Sequence, residues 1–214
     1  IRAVIRPATH DDLDQLSGFT LAVVTRSRDD WAVMIDKSLA DDRLLLVADV
    51  SHGSCQPLHS IDPATPGPLG SAIKLYVLDA VGSAVAAGKV RWDQPLTITA
   101  RYKSLPPGEL QAEPDGTRIT ALDSAAKMIS LSDNTAADML TGLVGRSTVE
   151  AALTATGMTS PALDRPFLTT REILVLKLKQ WPALAQRYVT ANEPSRRALL
   201  ASTVDRAPLP AIAD

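Results

Sequence analysis

The sequence predicts an α+β fold in which helices dominate and one N-terminal hairpin supplies the sheet. Three observations carry that expectation. Two short apolar runs, Leu44-Leu45-Leu46-Val47-Ala48 and Gln56-Pro57-Leu58-His59, flank the turn residues Ser51-His52-Gly53-Ser54, the pattern of a hairpin. From about residue 71 onward, apolar residues recur at helical spacing in one segment after another. The 214 residues, 45% hydrophobic and 21% charged, have the balance of a globular chain able to bury a core. Aromatics make up only 4%, so alanine, leucine and valine must fill that core.

Residues 1–26 read as a linker or the tail of a preceding segment, with strand-like runs at Val4-Ile5 and Leu21-Ala22-Val23-Val24 and a short helix opening at Thr9-His10-Asp11-Asp12. One domain then spans 27–214. Ser27 can cap a helix whose first turn holds Asp29 and Asp30, matching the helix dipole, with Trp31, Met34, Ile35 and Leu39 on one face. After the hairpin and a proline-rich approach (Pro63, Pro66, Pro68), a helix is expected over 71–89. Ile73, Leu75, Tyr76, Val77, Leu78, Ala80 and Val81 leave it almost no polar face, so burial on nearly all sides is predicted. A loop with Pro106, Pro107, Gly108, Pro114 and Gly116 leads to Thr120–Ser130, where Thr120 and Asp123 fit a capping box in outline. Further helices are expected from Asn134 to about Leu143, then over Arg146–Gly157, Thr169–Lys179, Pro182–Tyr188 and Pro194–Ser202. No internal repeat or low-complexity tract appears.

Composition excludes several functions. Lys and Arg number 22 against 24 Asp and Glu, a net charge of −2, which argues against a nucleic-acid or anionic-membrane partner. No apolar run approaches the roughly 18–20 residues of a membrane span. The single Cys55 excludes an intrachain disulfide and a multi-cysteine metal site, and reads as a small apolar filler beside the turn. His10, His52 and His59 are scattered without metal-ligand spacing, so neither a metal nor another cofactor is expected. The chain begins at Ile1 without a charged-then-apolar export signal, and a processed or trimmed product is expected.

Two clusters can carry chemistry. Ser71-Ala72-Ile73-Lys74 puts a hydroxyl at the start of the apolar helix and an amine three residues on, on one helix face. The helix N-terminus offers positive potential and free N–H groups to a developing oxyanion. A desolvated lysine beside a serine can be neutral enough to take its proton. The bland alternative is a capping serine and a snorkelling surface lysine, weakened because a lysine on an apolar helix needs a partner. Ser132-Asp133-Asn134, at a helix junction, is the second cluster; alone it is equally a loop that caps the next helix.

In context the pair resembles the penicillin-recognising serine hydrolases: class A β-lactamases, penicillin-binding proteins and related esterases. Their signature is S-x-x-K opening a buried helix, S-D-N in a loop of the helical subdomain, and K-[ST]-G on a strand. The motifs here are Leu69-Gly70-Ser71-Ala72-Ile73-Lys74-Leu75 and Met128-Ile129-Ser130-Leu131-Ser132-Asp133-Asn134-Thr135-Ala136-Ala137-Asp138-Met139-Leu140, within a resemblance covering about residues 28–190. The alanine-rich composition and the run Arg165-Pro166-Phe167-Leu168-Thr169-Thr170-Arg171-Glu172 are similar to β-lactamase-like proteins of actinobacteria. The resemblance implies Ser71 as acylated nucleophile, with Lys74 activating it directly or through a water. Ser132 would pass a proton toward the leaving nitrogen. Asn134 would hold the substrate's amide carbonyl and contact Lys74, and Asp133 would be structural, buried and bonded to backbone N–H groups. Tyr102, Lys103 and Leu105 fall where the family often rims its cleft; a solvated loop is the alternative.

Two departures bear on function. The loop from Gly157 to Leu168 is shorter than the family's and holds no glutamate: Asp164 is its one acid, and Glu172 falls inside the next helix. Without a positioned base, deacylation should slow on the order of 10²–10⁴-fold. No K-T-G or K-S-G triplet follows Asn134. The expected fold is therefore β-lactamase-like, a helical subdomain plus an incomplete antiparallel sheet, in a chain expected to be a fragment whose partner would be its own missing C-terminal strands. The first functional expectation is a serine hydrolase acylating on Ser71, penicillin-binding or esterase-like, acting on a β-lactam, peptide or ester with weak or no β-lactamase turnover. The second is an inactive binding or scaffold protein on the same fold, and the third a true class A β-lactamase. The resemblance implies an exported protein; a cytoplasmic location stays open.

Overall fold

The computed structural model describes residues 45–49, 53–179 and 182–209. The segment 1–26, the helix expected from Ser27, Leu44, His10 and His52 lie outside the described residues. The chain divides into two compact units, Ile1–Pro68 and Leu69–Asp214.

In the first unit, β1 (Leu45–Asp49) pairs antiparallel with β2 (Gln56–Ile61), Leu46 opposite Ser60 and Asp49 opposite Gln56, which is the expected hairpin. The register slips between Val47 and Ala48, where Leu58 is skipped. Pro57 has no N–H to give the ladder, and a bulge beside it accommodates the loss. Cys55 is exposed, as are its described neighbours over residues 53–58, so it does not act as an apolar filler.

The second unit opens with a 3-10 turn, Gly70–Ile73, that runs into helix α1 (Lys74–Ala86). Ser71 therefore lies in the tight turn ahead of the α-helix, not in its first turn. The expectation that this helix is buried on nearly all sides is corrected as well. Lys74, Val77, Ala80, Val81 and Ala84 are buried, but Leu75 is 59% exposed and Asp79 and Ser83 follow it on the same face at intervals of four. A second small ladder, β3 (Pro95–Thr97) with β4 (Arg118–Thr120), also escapes the sequence pattern, since three-residue strands are too short to show period-two alternation.

Helix α2 (Ala121–Ser130) starts where the Thr120 hydroxyl accepts from Asp123 N at 3.0 Å. The hydroxyl donates to the Asp123 carboxylate at 2.6 Å. Helix α3 (Asn134–Val144) is capped by Asp133 and buries every residue from Asn134 to Thr141, which places it at the centre of the unit. Gly145, at φ +84°, ends α3 and starts α4 (Arg146–Ala155), a conformation that costs glycine little. Helix α5 (Thr170–Leu174) has a full capping box between Thr169 and Glu172 and passes into a π-helical turn, Val175–Lys179, so the single helix expected there is two pieces. Helices α6 (Ala183–Thr190) and α7 (Glu193–Leu199) follow, the latter capped by Asn192, and a second π-helical turn spans Leu200–Val204.

The main core joins Val77, Ala80 and Val81 of α1 to Met128 of α2, Met139 and Leu140 of α3, and Val149 and Leu153 of α4. A smaller cluster under the C-terminal helices holds Val175, Leu176, Leu184, Tyr188, Leu200 and Val204. Among the described residues no helix is long and apolar enough to cross a membrane.

Candidate active site

Lys74 is the first residue of α1 and only 3% exposed. Its ammonium donates to the Ser132 carbonyl, to Ser132 Oγ at 2.9 Å and to Asn134 Oδ1 at 2.7 Å. Three donors thus meet three neutral acceptors, and no carboxylate among the described residues pairs with the amine. Burial pushes the Lys74 amine below its ordinary value, opposed at longer range by the charges of Asp133 and Asp138.

The loop between α2 and α3 is built to present those acceptors. Ser132 sits at φ +54°, an unfavourable backbone for a serine, which turns both its carbonyl and its hydroxyl onto Lys74. Asp133, fully buried, holds the turn from behind. Its Oδ1 accepts from Ala136 N at 2.9 Å, and its Oδ2 accepts from Glu109 N at 2.6 Å and Leu110 N at 3.0 Å. Asp133 is thus buried and bonded to backbone N–H groups, as expected. Asn134 donates through Nδ2 to the Leu105 carbonyl at 2.8 Å and through its backbone N–H to the Pro107 carbonyl at 3.1 Å. Gly108, at φ +124°, lies so close to Asp133 that a Cβ would collide with the carboxyl group.

The structure brings together Lys74, Ser132, Asn134 and the backbone of Leu105. Ser71 is one helical turn before Lys74 and exposed, and its hydroxyl makes no hydrogen bond to the Lys74 amine. Tyr102 is not brought to this cluster. Its ring packs against Gly142, where a Cβ would collide with it, and the Arg101 guanidinium lies 5.6 Å from the ring centroid. Asp164 is half-buried in a short 3-10 turn, and burial pushes its carboxyl up.

A buried polar relay behind Asn134 was not anticipated. The Thr170 hydroxyl donates to Asp138 Oδ1 at 2.8 Å and lies 3.1 Å from both the Asn134 carbonyl and Ser104 Oγ. Asp138 also accepts from Thr170 N at 2.7 Å and Arg171 N at 2.9 Å. Desolvation pushes its carboxyl up to about 7 despite those donors. The signal was in the sequence: Asp138 lies four residues after Asn134 on one helix face. Among the described residues no group of three His, Cys, Asp or Glu side chains is arranged to hold a metal.

The family model Beta-lactamase2, described as the beta-lactamase enzyme family, matches residues 41–198. The chain belongs to that family. Among solved structures, the beta-lactamase from Sphaerobacter thermophilus DSM 20745 is 29% identical, with a TM-score of 0.48, and the match covers 54% of this chain and 42% of that one. PBP-A is 23% identical with a TM-score of 0.50, covering 82% of this chain and 68% of that one. A point mutant of PBP-A, solved as an acyl-enzyme complex with penicillin G, is 23% identical with a TM-score of 0.51, covering 82% and 69%. The chain thus spans less than half the length of the first relative and about two thirds of PBP-A. None of the curated proteins compared with the sequence matches it. The fold of this family member is a partial β-lactamase-like α+β fold, helix-rich with two small antiparallel sheets among the described residues.

Proposed function

We propose that this chain carries the acylating machinery of a serine hydrolase that opens cyclic amides or esters, β-lactams included, with Ser71 as nucleophile. The observation that carries the reading is the Lys74 amine, buried one turn after Ser71 and held by Ser132 and Asn134 with no carboxylate partner among the described residues. A lysine so desolvated gives up its proton more readily, and the neutral amine is the base that Ser71 needs. Ser71 Oγ attacks the carbonyl carbon while its proton passes to Lys74, directly or through a water. As the carbon–nitrogen bond breaks, the Ser132 hydroxyl gives its proton to the departing nitrogen and takes one from Lys74. The 2.9 Å contact between Lys74 Nζ and Ser132 Oγ supports that transfer. Asn134 Nδ2 spends one hydrogen on the Leu105 carbonyl and keeps the other for a substrate carbonyl.

Release of the acyl group is proposed to be slow. Glu172, the nearest glutamate in sequence to the family's deacylation loop, is fully engaged: Oε1 pairs with Arg146 at 2.5 Å and Oε2 accepts from Thr169 N at 2.7 Å. Both oxygens are held by protein donors, and the loop itself holds no glutamate to position a water. Membership of the family also supports an exported location.

Mass spectrometry of the full-length protein after incubation with a labelled penicillin tests the reading. A single adduct on Ser71 that persists for many minutes and vanishes in Ser71→Ala is expected. Absence of an adduct with any β-lactam or activated ester would overturn it and favour a non-acylating binding protein. One observation favours that second reading: the Ser71 hydroxyl stands exposed and without a hydrogen bond to Lys74.

A further inference from the structure

Tyr102, which the catalytic cluster leaves unused, lines a cavity of about 460 Å³ that opens beside the C-terminal half of α3. Asp138, Thr141, Gly142 and Gly145 form its α3 wall. It begins one turn beyond Asn134 but shares neither Lys74 nor Ser132 with the catalytic cluster. The volume is within the range of sites that enclose small organic ligands.

The charges in this cavity fall into two groups. Those in the wall already have hydrogen-bond or ion-pair partners. Arg146 pairs with Glu172, Asp138 is held by Thr170 and Arg171, and the Arg171 guanidinium donates to the carbonyls of Lys103 and Ala207. At the rim, Arg101 and Arg206 are exposed and form no ion pair among the described residues. Arg101 lies over the edge of an apolar surface made by the Tyr102 ring, and Val204 adds to that surface. Asp205 lines the same cavity, and the Arg101 charge acts on its carboxyl, which is pushed up to about 6, chiefly by burial and by its contact with Glu172. Two guanidiniums that form no ion pair among the described residues, lining a partly apolar cavity, match a carboxylate on an apolar body.

We propose that this cavity is a second binding site, separate from Ser71, for a small organic carboxylate, with Arg101 and Arg206 holding the carboxylate and the Tyr102 side supporting the apolar portion. The inference does not rest on the hydrolase reading.

Titration of the full chain at neutral pH with 2-naphthoate tests it, read by calorimetry and by amide chemical shifts, with 2-naphthalenemethanol as the uncharged control. One-to-one binding of naphthoate is expected, with shifts at the Gly142 and Gly145 amides, and the alcohol should bind at least about tenfold more weakly. The double variant Arg101→Gln/Arg206→Gln, both at exposed positions, should retain the far-ultraviolet dichroism of the parent and lose at least about tenfold in affinity. Asp205→Asn should bind more tightly, because a competing acid is gone. Equal binding of acid and alcohol, unchanged affinity in the double variant, shifts confined to Ser132 and Asn134, or no saturable binding would each overturn the proposal. Ser71→Ala should bind naphthoate as the parent does, so loss of acylation and loss of this site are read separately.

Discussion

Lys74 and Glu172 are buried to the same degree, 3% and 2% exposed, and the protein treats them in opposite ways. Glu172 is matched by a guanidinium: Arg146 reaches both of its oxygens, at 2.5 and 3.1 Å, while the Thr169 N–H completes a helix cap. Lys74 receives neutral acceptors only, two from Ser132 and one from Asn134. A compensated buried ion pair fixes two elements relative to each other, here the start of α4 and the start of α5. A buried cation whose hydrogen bonds are satisfied but whose charge is not has its proton weakened, which serves chemistry better than stability.

The comparison breaks most sharply at Lys74. Lys74→Met should lower the acylation rate on the order of 10²–10⁴-fold, measured as adduct formation with an excess of penicillin. Its unfolding free energy in urea should change by no more than about 1 kcal/mol, because three acceptors lose their donor while a costly buried charge is removed. A large loss of stability together with unchanged acylation would make Lys74 a structural residue and erase the contrast.

Glu172→Gln probes the other side. The amide keeps a bond to Thr169 N but leaves the Arg146 guanidinium, whose side chain is 26% exposed, without its counter-charge. A stability loss of about 2–3 kcal/mol is expected in urea denaturation, less than for a fully buried pair because the arginine is partly hydrated. Acylation of the folded variant should be unchanged. A defect in acylation with unchanged stability would instead move Glu172 into the catalytic machinery.

How much of this contrast was legible in sequence depended on whether the information was local. The S-x-x-K and S-D-N spacings pointed to Lys74, Ser132 and Asn134, because each motif is set by one turn of backbone. Helix starts at Thr120, Asp133 and Thr169 were equally readable, since a cap is a local hydrogen bond. What could not be read depended on contacts between distant segments. Tyr102 belongs to the Gly142 face of α3 through a close approach across forty residues, and nothing in its own neighbourhood says so. The 3-10 entry that puts Ser71 ahead of α1, and the exposed face of Leu75, likewise follow from packing and not from periodicity. The pairing of Arg146 with Glu172 joins two helices whose sequence patterns are independent.

Asp138 stands between the two cases and gives the finest test. It is 3% exposed, has hydrogen-bond donors but no cation partner among the described residues, and burial pushes its carboxyl up to about 7 from the usual 3.8. The folded chain therefore holds this proton more tightly than the unfolded chain does. The stabilisation from proton binding is complete below about pH 4 and is lost as pH rises toward 7, at a slope of at most about 1.4 kcal/mol per pH unit. Asp138→Asn removes that dependence, so the difference in stability between parent and variant should shrink or reverse from pH 5 to pH 7, as followed by urea denaturation at each pH. The same substitution acts on Lys74 at a distance. Ionised Asp138 raises the lysine's proton affinity, so its loss should move the acid limb of the acylation rate profile to lower pH, with little change at the plateau. A profile that does not move would show that Asp138 holds Thr170 and Arg171 in place but leaves the base untuned, and the two buried groups, Lys74 on α1 and Asp138 on α3, would then be electrostatically independent.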